Sequence, residues 1–325
     1  MVMSGLVRRS FLAIAAAGLL AGVAHAQTKA ELAAVGQYGD KAAPLTVFEK
    51  DGALFVDGTG LSSARLTPTG GGRYAIAGGG ELVLERGAVR LNGTRLAWHD
   101  FGAETQDAIH KAVRADPVAL RQRALAAAPP IDTEAHVPAD LADLTTIDPR
   151  IKLDIRYAGL NNFMGIPLYE RAAAYMQRPA AQAVGRAQKA LAEKGYGLLI
   201  HDAYRPWFVT WMFWEATPPE DHAFVADPAK GSRHNRGCAV DLTLYDLKTG
   251  KPVEMPSRYD EFSGRAYADF VGGTTQQRAL RAILRQAMEA EGFAVYTEEW
   301  WHFDYKDWRH YGIGTRTFTE LAAQN

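Results

Sequence analysis

Apolar and polar positions follow two rhythms along this chain, and the change of rhythm divides it. From about residue 45 to 101 they alternate over short stretches, as in TVFEKDGALFVDG and GGGRYAIAGGGELVLERGAVRLNGTRLAW. A period of two marks strands with one buried face. Glycine clusters punctuate the run, and Asn92-Gly93 is a strong hairpin signal, because both residues accept the positive φ of a tight two-residue turn. A small all-β domain or β-roll is expected. Two short helical patterns follow near 105–115 and 117–127, and AAPPIDTEAHVPADL then reads as a Pro-rich linker. The expected division is a β-rich unit with trailing helices over 27–128, a linker over 129–145 and a second domain over 146–325.

The second half mixes element types. IKLDIRYA, YGLLIHDAY, AVDLTLY and WHFDYK read as strands. RAAAYMQRPAAQAVGRAQKALAEKG is helical, with a break or start at Pro179 and Gly195 as its C-cap. TTQQRALRAILRQAMEAEGF has apolar residues at 280, 283, 284, 287 and 288, one stripe of a helix that ends near Gly292. PWFVTWMFWEA is apolar nearly all round, as a buried helix is. Helices and strands do not alternate regularly. The pattern therefore predicts an α+β domain, a mostly antiparallel central sheet flanked by helices, rather than a doubly wound fold.

Composition narrows the function classes. The 325 residues are 47% hydrophobic and 22% charged, with a net charge of −1. That suits a globular protein and gives no electrostatic footprint for a nucleic-acid partner. Residues 1–26 differ in character: Arg8 and Arg9 precede an apolar run from Phe11 to Val23, and AHA closes the segment. The run falls short of the roughly 20 residues a membrane span needs. It reads as a cleaved export signal, and RRSFLA resembles a twin-arginine signal. Export, with the periplasm as destination, is expected. Cys238 is the only cysteine, so an exported chain would rest on core packing without an internal disulfide.

SRHNRGCAVD, residues 232–241, joins His234 and Asp241 through a turn that Gly237 permits. Zinc in hydrolases takes three ligands from His, Asp or Glu and leaves a position for water. A third ligand with a carboxylate near it is offered by EEWWHF, as His302 and Glu299. On a flat strand those two side chains face opposite ways, so a bulge or turn is required between them. Glu299, unligated, is then the general base. Arg205, in HDAYRPW, is the candidate cation for a developing oxyanion. Each has a plainer reading: a structural histidine, a strand-end cap, a solvated glutamate, or a bridge from Arg205 to Asp202. Cys238 could pair with His234 as a nucleophile, but alternation puts it on the face away from Asp241, as a buried filler. Trp300 and Trp301 read as packing that holds His302.

These motifs resemble those of zinc D-alanyl-D-alanine peptidases, and most closely the VanX-type D-alanyl-D-alanine dipeptidases. The likeness runs through LDIRYAGLNNFMGIPLY, DAYRP, HNRGCAVDLTLYDLKTG, MPSRYDEF and EEWWHFDY, roughly 150–310. It implies one zinc ion per chain on His234, Asp241 and His302, with Glu299 as base and Arg205 at the transition state. It further implies that Asp260 binds the substrate ammonium and that Ser232 lies beside the substrate. The implied substrate is a small D,D-dipeptide; export, taken with it, points to cell-wall fragment turnover rather than glycopeptide resistance. The alternatives are a D,D-carboxypeptidase or peptidoglycan endopeptidase on the same scaffold, or a non-catalytic wall-binding protein. The N-terminal β-segment and the export signal are not part of the minimal family.

Overall fold

The computed structural model describes residues 28–132 and 134–323; the expected export signal lies outside them. After a short helix, α1 (Lys29–Ala33), come eight strands: β1 (Gly36–Tyr38), β2 (Leu45–Lys50), β3 (Ala53–Gly58), β4 (Leu61–Gly70), β5 (Arg73–Ile76), β6 (Glu81–Glu85), β7 (Ala88–Leu91) and β8 (Thr94–His99). Each pairs antiparallel with the next, and β1 pairs with β8 to close a barrel. Closure leaves no unpaired edge strand. Leu45, Val47, Val56, Leu82 and Val89 fill its core. The hairpin turn at Asn92-Gly93 has φ of 48° and 88°, the conformation that pair favours.

Helices α2 (Phe101–Ala115) and α3 (Pro117–Ala126) follow. Sequence reading grouped them with the β-unit, but their apolar side chains Ile109, Val113, Leu120 and Ala124 join the larger core of the second half. The change of packing partner thus falls near residue 100, before the Pro-rich stretch. The reason is α5 (Trp207–Ala216), which is apolar all round and packs against both helices.

The larger core surrounds a five-stranded sheet in the order β10, β12, β13, β15, β14. Its members are β10 (Lys152–Leu153), β12 (Tyr196–Asp202), β13 (Ala239–Asp246), β14 (Phe293–Tyr296) and β15 (Glu299–Tyr305). Only the β10–β12 pair is parallel. A two-stranded sheet joins β9 (Leu141–Asp143) to β11 (Tyr175–Gln177). Helices α4 (Arg178–Ala192) and α6 (Thr275–Glu289) pack on the large sheet, and α7 (Phe318–Ala322) closes the described chain. Two expectations are corrected. IKLDIRYA yields only the two residues of β10 and then a 3-10 turn at Arg156–Ala158, because the Asp154 side chain turns to Arg156 and His201. The helical stretch expected over 171–195 starts at Arg178, in keeping with the start read at Pro179, but Tyr175–Gln177 before it form β11 and the helix ends at Ala192, ahead of Gly195.

The barrel is tied to α6. The Glu49 carboxylate accepts from the Thr275 backbone N–H at 2.7 Å, a negative charge at the positive end of a helix. Arg278 returns a hydrogen bond to the Glu49 carbonyl at 2.6 Å.

Candidate metal centre and substrate pocket

Strand register builds the centre. Asp202 on β12 stands opposite Asp241 on β13, which stands opposite His302 on β15. Directly opposed residues share a face, so the three form one row. A bulge at His201, between the paired Ile200 and Asp202, sets Asp202 rather than His201 against Asp241. On β13 the alternation sends Val240, Leu242 and Leu244 into the core and Asp241 to the opposite face. Cys238 is fully buried, and burial pushes its thiol up to about 12, which agrees with a filler and not a nucleophile.

His234 arrives from the loop before β13. Gly237 closes that loop at φ 68°, donating to the His234 carbonyl. That positive φ favours glycine, and a Cβ there would also have to displace Leu141 Cδ2, 2.7 Å away. Between Glu299 and His302 the irregularity that the spacing demands is present: adjacent Val295 and Tyr296 pair with Phe303 and Glu299, leaving the three β15 residues between them without a partner on β14. That displacement brings Glu299 Oε2 to 3.7 Å from His302 Nδ1. Trp300 and Trp301 are buried behind it.

The donor set has a definite protonation logic. His234 Nδ1 lies 2.6 Å from the Ala203 carbonyl, and His302 Nε2 lies 2.9 Å from Asp304 Oδ1. Facing an acceptor, each of these nitrogens carries the ring proton, so the other nitrogen of each ring presents a lone pair. Those are His234 Nε2 and His302 Nδ1, 3.1 Å apart. Asp241 Oδ1 lies 3.3 Å from the first and 3.1 Å from the second. Three such donor atoms converging on one point would suit a cation. Tetrahedral bonds of about 2.0–2.1 Å to N and O place ligand atoms about 3.3 Å apart, so the set fits a zinc-sized ion. Without a metal, burial opposes the charge on Asp241, yet positive charge and hydrogen bonding from protonated imidazoles hold its carboxyl well below the usual range, a role a bound cation would take over. Among the described residues this is the one such group of metal-ligating side chains.

The remaining predicted residues line the same cavity of about 90 Å³. That is room for on the order of seven waters, hence for a small ligand. Arg205 stacks on Phe213 with its guanidinium 4.5 Å from the ring centroid. It bridges Asp202 at 2.8 Å, and the same nitrogen lies 3.7 Å from Asp241 Oδ2. The plain reading of Arg205 as a partner of Asp202 and its place in the pocket are therefore both correct. Ser232 is buried and accepts from the His234 backbone N–H at 3.1 Å. Asp260 sits at φ 59°, a conformation costly outside glycine. Its Oδ1 accepts from the Tyr157 hydroxyl at 2.8 Å, whereas Oδ2 is buried without a partner. Burial pushes the Asp260 carboxyl up to about 7 despite that hydrogen bond. Burial likewise raises Glu299 to about 8; His302 opposes the shift, and Asp241 and Asp260 add to it.

Several supporting residues escaped the sequence reading. Tyr259 donates to Asp241 Oδ2 at 2.9 Å, fixing the oxygen that faces away from the imidazoles. Tyr157 holds Asp260, and Tyr169 donates to Asp202 Oδ1 at 2.7 Å. Asn235 donates to the Arg205 carbonyl at 2.8 Å and ties the loop to Thr210. Asp304 alone had a local signal, since a residue two beyond a strand histidine lies on its face. His201, His222 and His310 contribute nothing to the donor set.

Two imidazoles and a carboxylate around one candidate ion position, with a raised glutamate beside them, suit a metal-dependent hydrolase. The comparisons are more specific. The chain belongs to the D-Ala-D-Ala dipeptidase family, whose model matches residues 138–320, more than half its length. It is 33% identical over 165 residues to a D-alanyl-D-alanine dipeptidase of Escherichia coli (strain K12), covering 51% of this chain and 84% of that one. It is 34% identical over 178 residues to the Enterococcus faecium enzyme of the same name, covering 48% and 87%. For the Streptomyces coelicolor enzyme the values are 32% over 192 residues, 53% and 94%. The barrel lies before the matched region.

Proposed function

We propose that this chain hydrolyses the D-alanyl-D-alanine dipeptide with one zinc ion held by His234 Nε2, Asp241 Oδ1 and His302 Nδ1. The observation that carries the reading is the convergence of those atoms, each ring's second nitrogen being committed to an acceptor. A bound zinc ion supplies Lewis acidity at this position, toward a water and toward the scissile carbonyl. Glu299 takes a proton from the attacking water as its oxygen bonds to the carbonyl carbon. When the C–N bond breaks, Glu299 returns that proton to the leaving amine. Burial raises the Glu299 carboxyl and a bound cation would lower it again, so the group can take up and return a proton near neutral pH. Arg205, kept charged and oriented by Asp202, stabilises the negative charge that gathers on the carbonyl oxygen.

The same reading gives Asp260 the substrate ammonium, which would partner its orphaned Oδ2. Ser232, on the wall beside His234, lies along the substrate. The cavity's size and the free-amine requirement favour a dipeptidase over a carboxypeptidase or an endopeptidase. The proposed site of action is the periplasm, a reading supported by the export-signal pattern of residues 1–26. There the enzyme meets wall fragments rather than cytoplasmic precursor, so turnover of those fragments is the proposed role. The test is metal analysis of the purified protein together with Glu299→Gln. Loss of dipeptide hydrolysis with zinc retained supports catalysis, whereas unchanged turnover or a zinc-free active protein refutes it.

A further inference from the structure

We infer that the N-terminal segment braces the wall of the substrate pocket and so sets how tightly the dipeptide is held. This rests on the proposed function, but the family match begins at residue 138, and the bracing residues all precede it. Two loops are involved.

The first contains the 3-10 turn Pro219–Phe224. Asp221 in that turn is buried. Its carboxylate accepts from Lys41 Nζ at 3.0 and 3.3 Å and from Thr105 Oγ1 at 3.4 Å. Lys41 Nζ also donates to Thr105 Oγ1 at 2.9 Å. Lys41 lies between β1 and β2 of the barrel, and Thr105 lies in the first half of α2. Just beyond Asp221, residues 223–226 form one wall of the pocket. The Phe224 ring in that wall is 5.4 Å from Phe262.

The second loop, 258–262, carries Tyr259, Asp260 and Phe262. Arg258 pairs with Asp100 at 2.8 Å, at the junction of the barrel and α2. Gly102 lies so close to Glu261 that a Cβ would stand 2.3 Å from Glu261 Cγ. The start of α2 therefore rests directly on the loop that presents Asp260. The metal donors and Glu299, by contrast, are placed by β13, β15 and the loop ahead of β13, within the matched region. Bracing through Lys41 acts on the pocket wall at 223–226 and not on the reacting atoms, whereas the 258–262 loop also carries Tyr259, which holds Asp241. Released walls would have to be ordered anew at each binding event, which weakens binding and leaves the chemical step alone.

The test uses the full-length, metal-loaded chain and the variants Lys41→Ala, Lys41→Arg and Lys41→Ala/Asp100→Ala. Lys41→Ala is expected to raise KM for D-Ala-D-Ala by about tenfold, the scale of one charge-assisted hydrogen bond to a buried carboxylate. Its kcat should stay within about twofold, Lys41→Arg should restore KM, and the double variant should exceed the single one. Amide hydrogen exchange over 219–226 should quicken by roughly tenfold in Lys41→Ala, with β13 and β15 unaltered. An unchanged KM, no rescue by arginine, or unaltered exchange at 219–226 overturns the inference. If the wild-type chain fails to cleave the dipeptide, the proposed function falls, and the exchange measurement still decides the brace.

Discussion

Asp260 makes the sharpest quantitative demand on the proposed chemistry. Its Oδ2 is buried and unpaired, and burial lifts its carboxyl from 3.8 to about 7. That displacement corresponds to roughly 4 kcal/mol against the ionised form. A substrate ammonium that supplies the missing partner, and so restores an ordinary carboxyl, must bind the ionised form more tightly than the neutral form by that amount. An N-acetylated dipeptide has no charge there and gains nothing. The free dipeptide should therefore be preferred by about a thousandfold in kcat/KM near pH 7.5, at tenfold per 1.4 kcal/mol. Below about pH 7 Asp260 takes up a proton and can no longer pair with the ammonium, so the preference should shrink about tenfold per pH unit. The assay is release of D-alanine, coupled to D-amino-acid oxidase, from D-Ala-D-Ala and N-acetyl-D-Ala-D-Ala across pH 5.5–8. Asp260→Asn should bring the free dipeptide down to the acylated one while leaving the acylated one within a few-fold. A wild-type preference below tenfold, or an equal fall for both substrates in Asp260→Asn, refutes the reasoning.

Glu299→Gln should lower kcat by roughly 10²–10⁴, measured by the same assay, with the metal content unchanged. Asp304→Ala removes the acceptor from His302 Nε2 and should weaken zinc binding about 10- to 100-fold in a competitive chelator titration. Without metal, folding stability should fall as pH rises. Asp260 and Glu299 have folded values near 7 and 8, above their unfolded values near 4, so their contribution is complete below pH 4 and is lost as pH rises through 7–8. A thermal midpoint of the chelated protein that climbs between pH 5.5 and 8.5 would contradict this.

The parts of the fold visible in the sequence are those in which neighbouring residues impose a period. The barrel strands follow from alternation and turn glycines, and α6 follows from its 280, 283, 284, 287, 288 stripe, of which Leu280, Leu284, Ala287 and Met288 are buried. Barrel closure was not legible, because nothing near β1 or β8 states that they pair. The strand misread at IKLDIRYA had the right composition, but Asp154 found partners in Arg156 and His201 that only the folded chain supplies. The destination of α2 and α3 was likewise hidden. Their apolar faces announce burial without naming the surface that covers them.

For the centre, the division is between residues that must obey a local rule and those that merely arrive. His234, Gly237 and Asp241 are bound by turn geometry, and Glu299 with His302 by the bulge their spacing forces, so a reader of the chain can find them. Tyr157 and Tyr259 hold Asp260 and Asp241 through single hydroxyls about a hundred and 18 residues away in the chain, and a tyrosine elsewhere in the core would look the same. Lys41 is the extreme case. Its ammonium reaches a buried aspartate 180 residues away, where an isolated exposed pair would contribute little. The contact matters because Asp221 is buried and would otherwise lose its cationic partner, and burial of a distant partner is the one property a local sequence pattern does not encode.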